Sequence, residues 1–179
     1  MLKQGVNIEF TLFGWTPLMS AASKGHMWGR NINDTVKLLL AHGANIEAVD
    51  NGEKGFKRAL HLACQYGGYE GASDVVETLL NAGADIEAES DDQWRPIHYA
   101  VFFGHYPIVK LLVDRGADVG AMTLLGKTPL IIAKEKRMKC ELYEERLTKI
   151  FRRDAILELL NSKPQPVSEY LYQLESFYP

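Results

Sequence analysis

The side chains in this sequence most able to do chemistry are five histidines, two cysteines and a few clustered charges. His61 and His98 are the most suggestive, because they lie at the same place in two matching segments, FKRALHLACQYGG from Phe56 and QWRPIHYAVFFGH from Gln93. A shared zinc ion would need both imidazoles at about 2.1 Å in fixed geometry. Successive helices pack about 8–10 Å apart, so backbone position alone does not bring the two rings to one ion. No metal and no cofactor is expected. His42 stands before a glycine, a place that suits a protonated imidazole at a helix C-terminus. Cys64 reads as a small core residue. The acidic pair Asp91–Asp92 lies in an exposed turn, whereas general acid–base work needs burial to split two carboxyl pKa values. The basic run KEKRMK (134–139) contains Glu135 and is followed by Glu141, Glu144 and Glu145, the pattern of a solvated face. There is no Gly-x-Ser-x-Gly, no phosphate-cradling glycine loop and no Cys–His motif of known spacing. The expectation is a protein without catalysis.

Bulk properties point the same way. The 179 residues suffice for one ordinary domain or one repeat array. With 46% apolar and 24% charged residues, the chain has a globular composition. A formal net charge of −3 and a pI near 6.0 argue against a nucleic-acid binder, which carries a basic excess. Cys64 and Cys140 are too few for a disulfide framework and suggest a reducing compartment. No apolar run approaches the roughly 18 residues of a membrane span, and MLKQGVNIEF lacks the apolar core of a signal peptide. A cytoplasmic monomer with no membrane contact is expected.

The candidate residues must be positioned by elements, and those elements repeat. GWTPLMSAASKGH from Gly14, FKRALHLACQYGG, QWRPIHYAVFFGH and GKTPLIIAKEKRM from Gly126 align on Thr16, Arg58, Arg95 and Thr128, with spacings of 42, 37 and 33. Three of them are followed by a second signature: VKLLLAHGANIEA, VETLLNAGADIEA and VKLLVDRGADVGA. In each Thr-Pro-Leu the proline pre-sets φ for a first helical turn and the threonine can cap it. Leu18, Ala21 and Ala22 form one buried face of a first helix, and Val36, Leu39 and Leu40 one face of a second. Leu39, Leu80 and Leu112 are expected in the core. Gly43 follows the second helix as a left-handed cap.

This pattern resembles the ankyrin repeat, a unit of 33 residues with a T-P-L-H-x-A signature. The resemblance covers about residues 1–161 and implies an all-α fold, a solenoid of helix-turn-helix units with β-turn fingers. The units fall at about 11–49, 50–89, 90–122 and 123–161, after a half repeat at 1–10 with Gly5 as its cap. Residues 162–179 then form a capping tail for the last apolar face. The histidines of the signature and of the Gly-His turns are structural in the family, bonded to backbone groups.

Departures from the pattern are informative. Extra residues fall at 27–33 and 69–73, between the helices of the first two repeats, and at the finger 51–57. Arg58 and Arg95 replace the capping threonine and Ala59 the proline, so those helices should start less well capped. The insertion KRMKCELYEERLTKIFRR should extend the final outer helix forward to about 20 residues, with Tyr143, Leu147, Ile150 and Phe151 on one face and Glu145 paired with Lys149.

The resemblance also implies which positions meet a partner, since the family binds proteins through its fingers and the inner face of its first helices. The finger positions carry Phe13 and Trp15, then Lys57, then Asp91, Asp92 and Trp94, then Leu125. The ends of the inner helices carry Lys24, Tyr66, and the adjacent pair Phe102 and Phe103. Six aromatics fill 20 such places, where a composition of 10% would put two. Aromatic side chains supply contact area at low entropy cost and dominate interface hot spots. The expected function is presentation of an aromatic-rich concave groove to a protein partner. Trp94 and Phe103 should be its exposed anchors, with Lys24, Lys57 and the acidic pair as flanking charge. An inhibitor or immunity-type protein that occludes an enzyme is permitted equally by such a fold.

Overall fold

Each repeat opens on a helix whose first turn is set by local chemistry. Pro17 begins α1 (Pro17–Ser23), and the Thr16 hydroxyl accepts the Met19 N–H at 3.2 Å. The same arrangement starts α7 (Pro129–Leu142), where the Thr128 hydroxyl accepts the Ile131 N–H at 3.4 Å. The structure, a computed structural model, describes residues 7–23, 32–50, 55–68, 71–142 and 147–163, without the side chains of 136–142 and 147–153. Among the described residues there are eight helices and no strands. The others are α2 (Ile32–Ala41), α3 (Ala59–Gln65), α4 (Ala72–Asn81), α5 (Pro96–Phe103), α6 (Tyr106–Asp114) and α8 (Leu147–Asn161).

The helices pair as hairpins and the hairpins stack. The inner helices α1, α3, α5 and α7 touch in that order, as do the outer helices α2, α4, α6 and α8. Each unit therefore buries its faces against its neighbours, as a solenoid does. Ala21, Ala63, Ala100 and Ala133 occupy one repeat position and are all buried, so the inner helices approach closely. The outer core is built from Leu39, Leu79 and Leu112, each beside its Val36, Val76 or Val109. Leu80, expected in this row, is only half-buried. Val76 and Leu79 keep the three-residue step of the other two helices, and Leu80 lies one position past it, packed against the core at its edge and partly exposed.

The outer helices α2, α4 and α6 end alike. Gly43, Gly83 and Gly116 have φ of +85°, +92° and +88°. The Ala44 N–H reaches back to the Leu39 carbonyl and the Gly43 N–H to that of Leu40, at 3.1 and 3.0 Å, the double closure of a Schellman cap. Four tails make an Asx turn: Asn7, Asn45, Asp85 and Asp118 each accept, on the side-chain oxygen, the N–H two residues on. A second bond ties one tail to the next. Glu9 accepts the Asn45 N–H at 2.7 Å, Glu47 that of Asp85 at 3.0 Å, and Glu87 that of Asp118 at 2.8 Å. Gly120 holds the equivalent place in the following tail.

The fingers are tight turns stitched side by side. Asp50, Ser90 and Thr123 donate their N–H to Lys57, Trp94 and Lys127, at 3.0–3.1 Å. Asp91 donates across to Gly55, and Leu124 to Asp92, both at 2.9 Å. The first finger is a two-residue hairpin, Leu12 and Trp15 exchanging both main-chain bonds around Phe13 and Gly14 at φ +52° and +78°. Two positive φ values in succession make it a type I′ turn.

The last unit departs from expectation. The expected outer helix of about 20 residues reaches into 143–146, outside the described residues; α8 has 15 residues from Leu147, while the inner helix α7 has 14, twice the length of α1 or α3. The run 134–142 holds strong helix formers and neither glycine nor proline, so nothing halts α7 at the usual place. Gly5, Lys24, Tyr143 and Glu145, most of the insertion at 27–33 and the proposed tail beyond Lys163 lie outside the described residues.

Candidate functional site

His61 and His98 are fully buried, and each ring uses both nitrogens. Nδ1 of His61 accepts the Arg58 N–H at 3.1 Å, and its Nε2–H donates to the Ala88 carbonyl at 2.8 Å. His98 repeats this with the Arg95 N–H at 2.9 Å and the Ala121 carbonyl at 2.9 Å. These bonds fix a neutral ring and leave no lone pair for a metal. Burial lowers the His61 pKa to about 4, and burial also lowers that of His98. No side-chain cap bond forms at Arg58 or Arg95, as their replacement of threonine implied; the histidine instead ties down the N–H of the residue before the helix. His105 donates its Nε2–H to the Gln65 carbonyl at 3.2 Å. Cys64 is fully buried and burial pushes its thiol pKa up, which keeps it from being a nucleophile.

The inner helices and fingers instead build an aromatic surface. Its centre is Trp94, half-buried at the root of the third finger. Trp94 lies 5.4 Å from Phe102 and 5.1 Å from Tyr99, between ring centroids. Phe102 meets Phe103 edge to face at 5.0 Å, and Phe103 stacks on His105 at 6.1 Å. The two adjacent phenylalanines divide the work: Phe102 is half-buried under Trp94, while Phe103 is 43% exposed. Trp94 was expected to be open to solvent, and its packing against three rings explains why it is not.

Beside these rings is a pocket of about 260 Å³ between the second and third fingers. Lys57, Asp91, Asp92, Trp94, Phe102 and Phe103 all line it, so the structure brings six of the sequence-derived positions together. Tyr99 also lines it and was missed, although it stands one helical turn before Phe102 and so shares its face. The Lys57 ammonium lies 5.1 Å from the centre of the Tyr99 ring and donates to the Gln65 side chain at 2.9 Å. Burial raises the Tyr99 phenol above its ordinary pKa, and the field of Asp92, Asp50 and Asp91 adds to the rise.

The other positions fall elsewhere. Trp15 pairs edge-on with Tyr66 at 6.4 Å, at the root of the first finger. Phe13 and Leu125 stand at the tips of the first and fourth fingers, 82% and 79% exposed. Phe56, at the second tip, was missed; it is exposed and held at φ +52°. The position two before each alignment anchor has positive φ in all four fingers, and Phe56 fills in the second what Gly14 and Gly126 fill in the first and fourth.

Comparison with known proteins places the repeats. The family model described as ankyrin repeats (3 copies) matches residues 1–90, 29–123 and 60–143. The chain is 34% identical over 124 residues to ankyrin repeat and SOCS box protein 11 of Danio rerio, covering 69% of this chain and 38% of that protein. It is 32% identical over 103 residues to the B-cell lymphoma 3 protein homolog of Mus musculus, covering 57% and 22%. It is 33% identical over 120 residues to the ankyrin repeat, SAM and basic leucine zipper domain-containing protein 1 of Dasypus novemcinctus, covering 66% and 23%. The chain thus spans well under half the length of these curated relatives.

Proposed function

We propose that this chain, which belongs to the ankyrin-repeat family, binds a protein partner through the groove formed by its fingers and the inner ends of α1, α3 and α5. Ankyrin repeats are generally protein–protein interaction modules. The finer assignment of the groove rests on one observation: the Trp94, Tyr99, Phe102 and Phe103 rings gather at a pocket with Phe103 left 43% exposed. A packed aromatic base with one open ring is the form of an interface anchor, pre-ordered and still able to bury area. The partner contact extends to the Phe13 and Leu125 tips, and binding involves no catalysis. In this reading the chain acts as a cytoplasmic monomer, and nucleic acid, membrane and metal take no part.

The test uses the full chain, immobilised, with retained proteins identified by mass spectrometry and their affinities then measured. Phe103→Ala should weaken the retained partner by about 2 kcal/mol or more, while its urea melt shifts little. A loss of about 3–5 kcal/mol in folding stability with binding untouched would make Phe103 a core residue and end this proposal.

A further inference from the structure

The pocket between the second and third fingers carries a more specific chemistry than the groove around it. Its wall is aromatic, with Trp94, Tyr99, Phe102 and Phe103, and its mouth is acidic, with Asp91 and Asp92 both exposed. Acidic side chains elsewhere in the stack hold cations: Glu47 holds Arg58, Glu87 and Glu89 hold Arg95, Glu77 holds Arg115 and Glu135 holds Lys127. Asp91 and Asp92 enter no ion pair among the described residues. The pocket already shows its preference internally, since the Lys57 ammonium lies 5.1 Å from the Tyr99 ring centre.

We propose that this pocket takes one arginine side chain of the protein partner, with its guanidinium against the Trp94 and Phe103 rings and its N–H fork turned to Asp91 and Asp92. The inference rests on the groove being the binding surface. Ring faces attract cations through their quadrupole, Trp most strongly. Arginine is chosen over other cations for two reasons. Its planar, weakly hydrated guanidinium stacks on rings and forks to carboxylates, where a compact ammonium does neither. A trimethylated ammonium would match the rings but offers no N–H to the two aspartates. Lys57 is held back by its bond to Gln65 and sits at the Tyr99 side of the pocket, so it flanks the site.

The experiment titrates the full chain with N-acetyl-arginine amide and follows the Trp94 indole N–H by NMR, with the citrulline and trimethyl-lysine amides as controls. The arginine amide should give a saturable shift, with citrulline, its neutral isostere, weaker by about fivefold or more. The double substitution Asp91→Asn with Asp92→Asn should weaken the arginine amide by a similar factor and leave citrulline unchanged; both sites are exposed turn residues whose main-chain bonds are kept. Equal binding of arginine and citrulline, tighter binding of trimethyl-lysine, or no saturable shift would each overturn the pocket assignment. If the shift is absent while Phe103→Ala still weakens the retained protein, only the arginine inference fails. If Phe103→Ala leaves that protein's affinity unchanged, the groove reading fails and this inference with it.

Discussion

Trp94 and Phe102 meet edge to face, with ring centroids 5.4 Å apart and planes at 68°. In the neighbouring units the same two places are polar. Lys57 bonds to Gln65 at 2.9 Å and Lys127 to Glu135 at 2.7 Å, each eight residues apart like Trp94 and Phe102. A finger root and an inner helix end are thus tied together in all three units. Only the third does it with rings, and that is where the pocket forms.

The tie between Trp94 and Phe102 should be measurable. A double-mutant cycle with Trp94→Ala and Phe102→Ala, read by urea melts, should give a coupling of about 0.5–1.5 kcal/mol. Additive losses would show that the two rings are neighbours without a net interaction.

Leu79 and Leu80 make a sharp pair for the register of α4. Leu79 is fully buried and Leu80 half-buried. Leu79→Ala should cost about 2–5 kcal/mol by its transfer and cavity terms, and Leu80→Ala clearly less. A reversed order would mean that the helix face is assigned wrongly.

The buried histidines make stability depend on pH. His61 titrates in the unfolded chain near its ordinary 6.5, but near 4 when folded. Between those values the unfolded state binds the extra proton, so stability is full above pH 6.5 and is lost as pH falls toward 4. A single shift of this size is worth about 3 kcal/mol, and His98 acts in the same direction. Urea midpoints should fall steadily from pH 7 to pH 5. A flat profile over that range would refute neutral, buried rings.

Phe13 sits at φ +52° with 82% of its surface exposed, so the fold gains little from it and bears the strain. Asn-Gly is the preferred pair for a type I′ hairpin, and Gly14 already follows. Phe13→Asn should therefore raise stability by about 1 kcal/mol, seen as a higher urea midpoint. It should also weaken partner binding if the groove proposed above extends to this ring. Unchanged binding would remove Phe13 from the interface.

Much of the architecture was legible because it is local and repeated. Thr16-Pro17 and Thr128-Pro129 announce helix starts, Gly43, Gly83 and Gly116 announce stops, and the alanine row marks where helices touch. The misses have physical causes. Leu79 and Leu80 are adjacent and identical, so only the three-residue step from Val76 separates core from edge. The length of α7 depends on the absence of a breaker in 134–142, a weaker local signal than a cap. Phe56 carries no local signal of its exposure, since its positive φ at a finger tip shows only in the folded chain. Of the pocket, the finger and helix-end positions could be aligned from sequence. Their convergence could not, since Lys57 meets Tyr99 only when two units stack. The same holds for Glu47 and Asp85, whose bond spans 38 residues.

The bonds from Glu9 to Asn45, Glu47 to Asp85 and Glu87 to Asp118 have a consequence for how such a chain can change over generations. Each of the tails of Glu9, Glu47 and Glu87 brings one acceptor for the next tail, and each of those of Asn45, Asp85 and Asp118 brings one amide for the previous one. Deleting or duplicating a complete unit leaves every carboxylate facing an amide, whereas removing part of a unit breaks a tie. The number of units is thereby free to drift while the spacing between them is held. The four rings of the pocket all belong to the third unit, so they can be acquired or lost without disturbing the rest of the row.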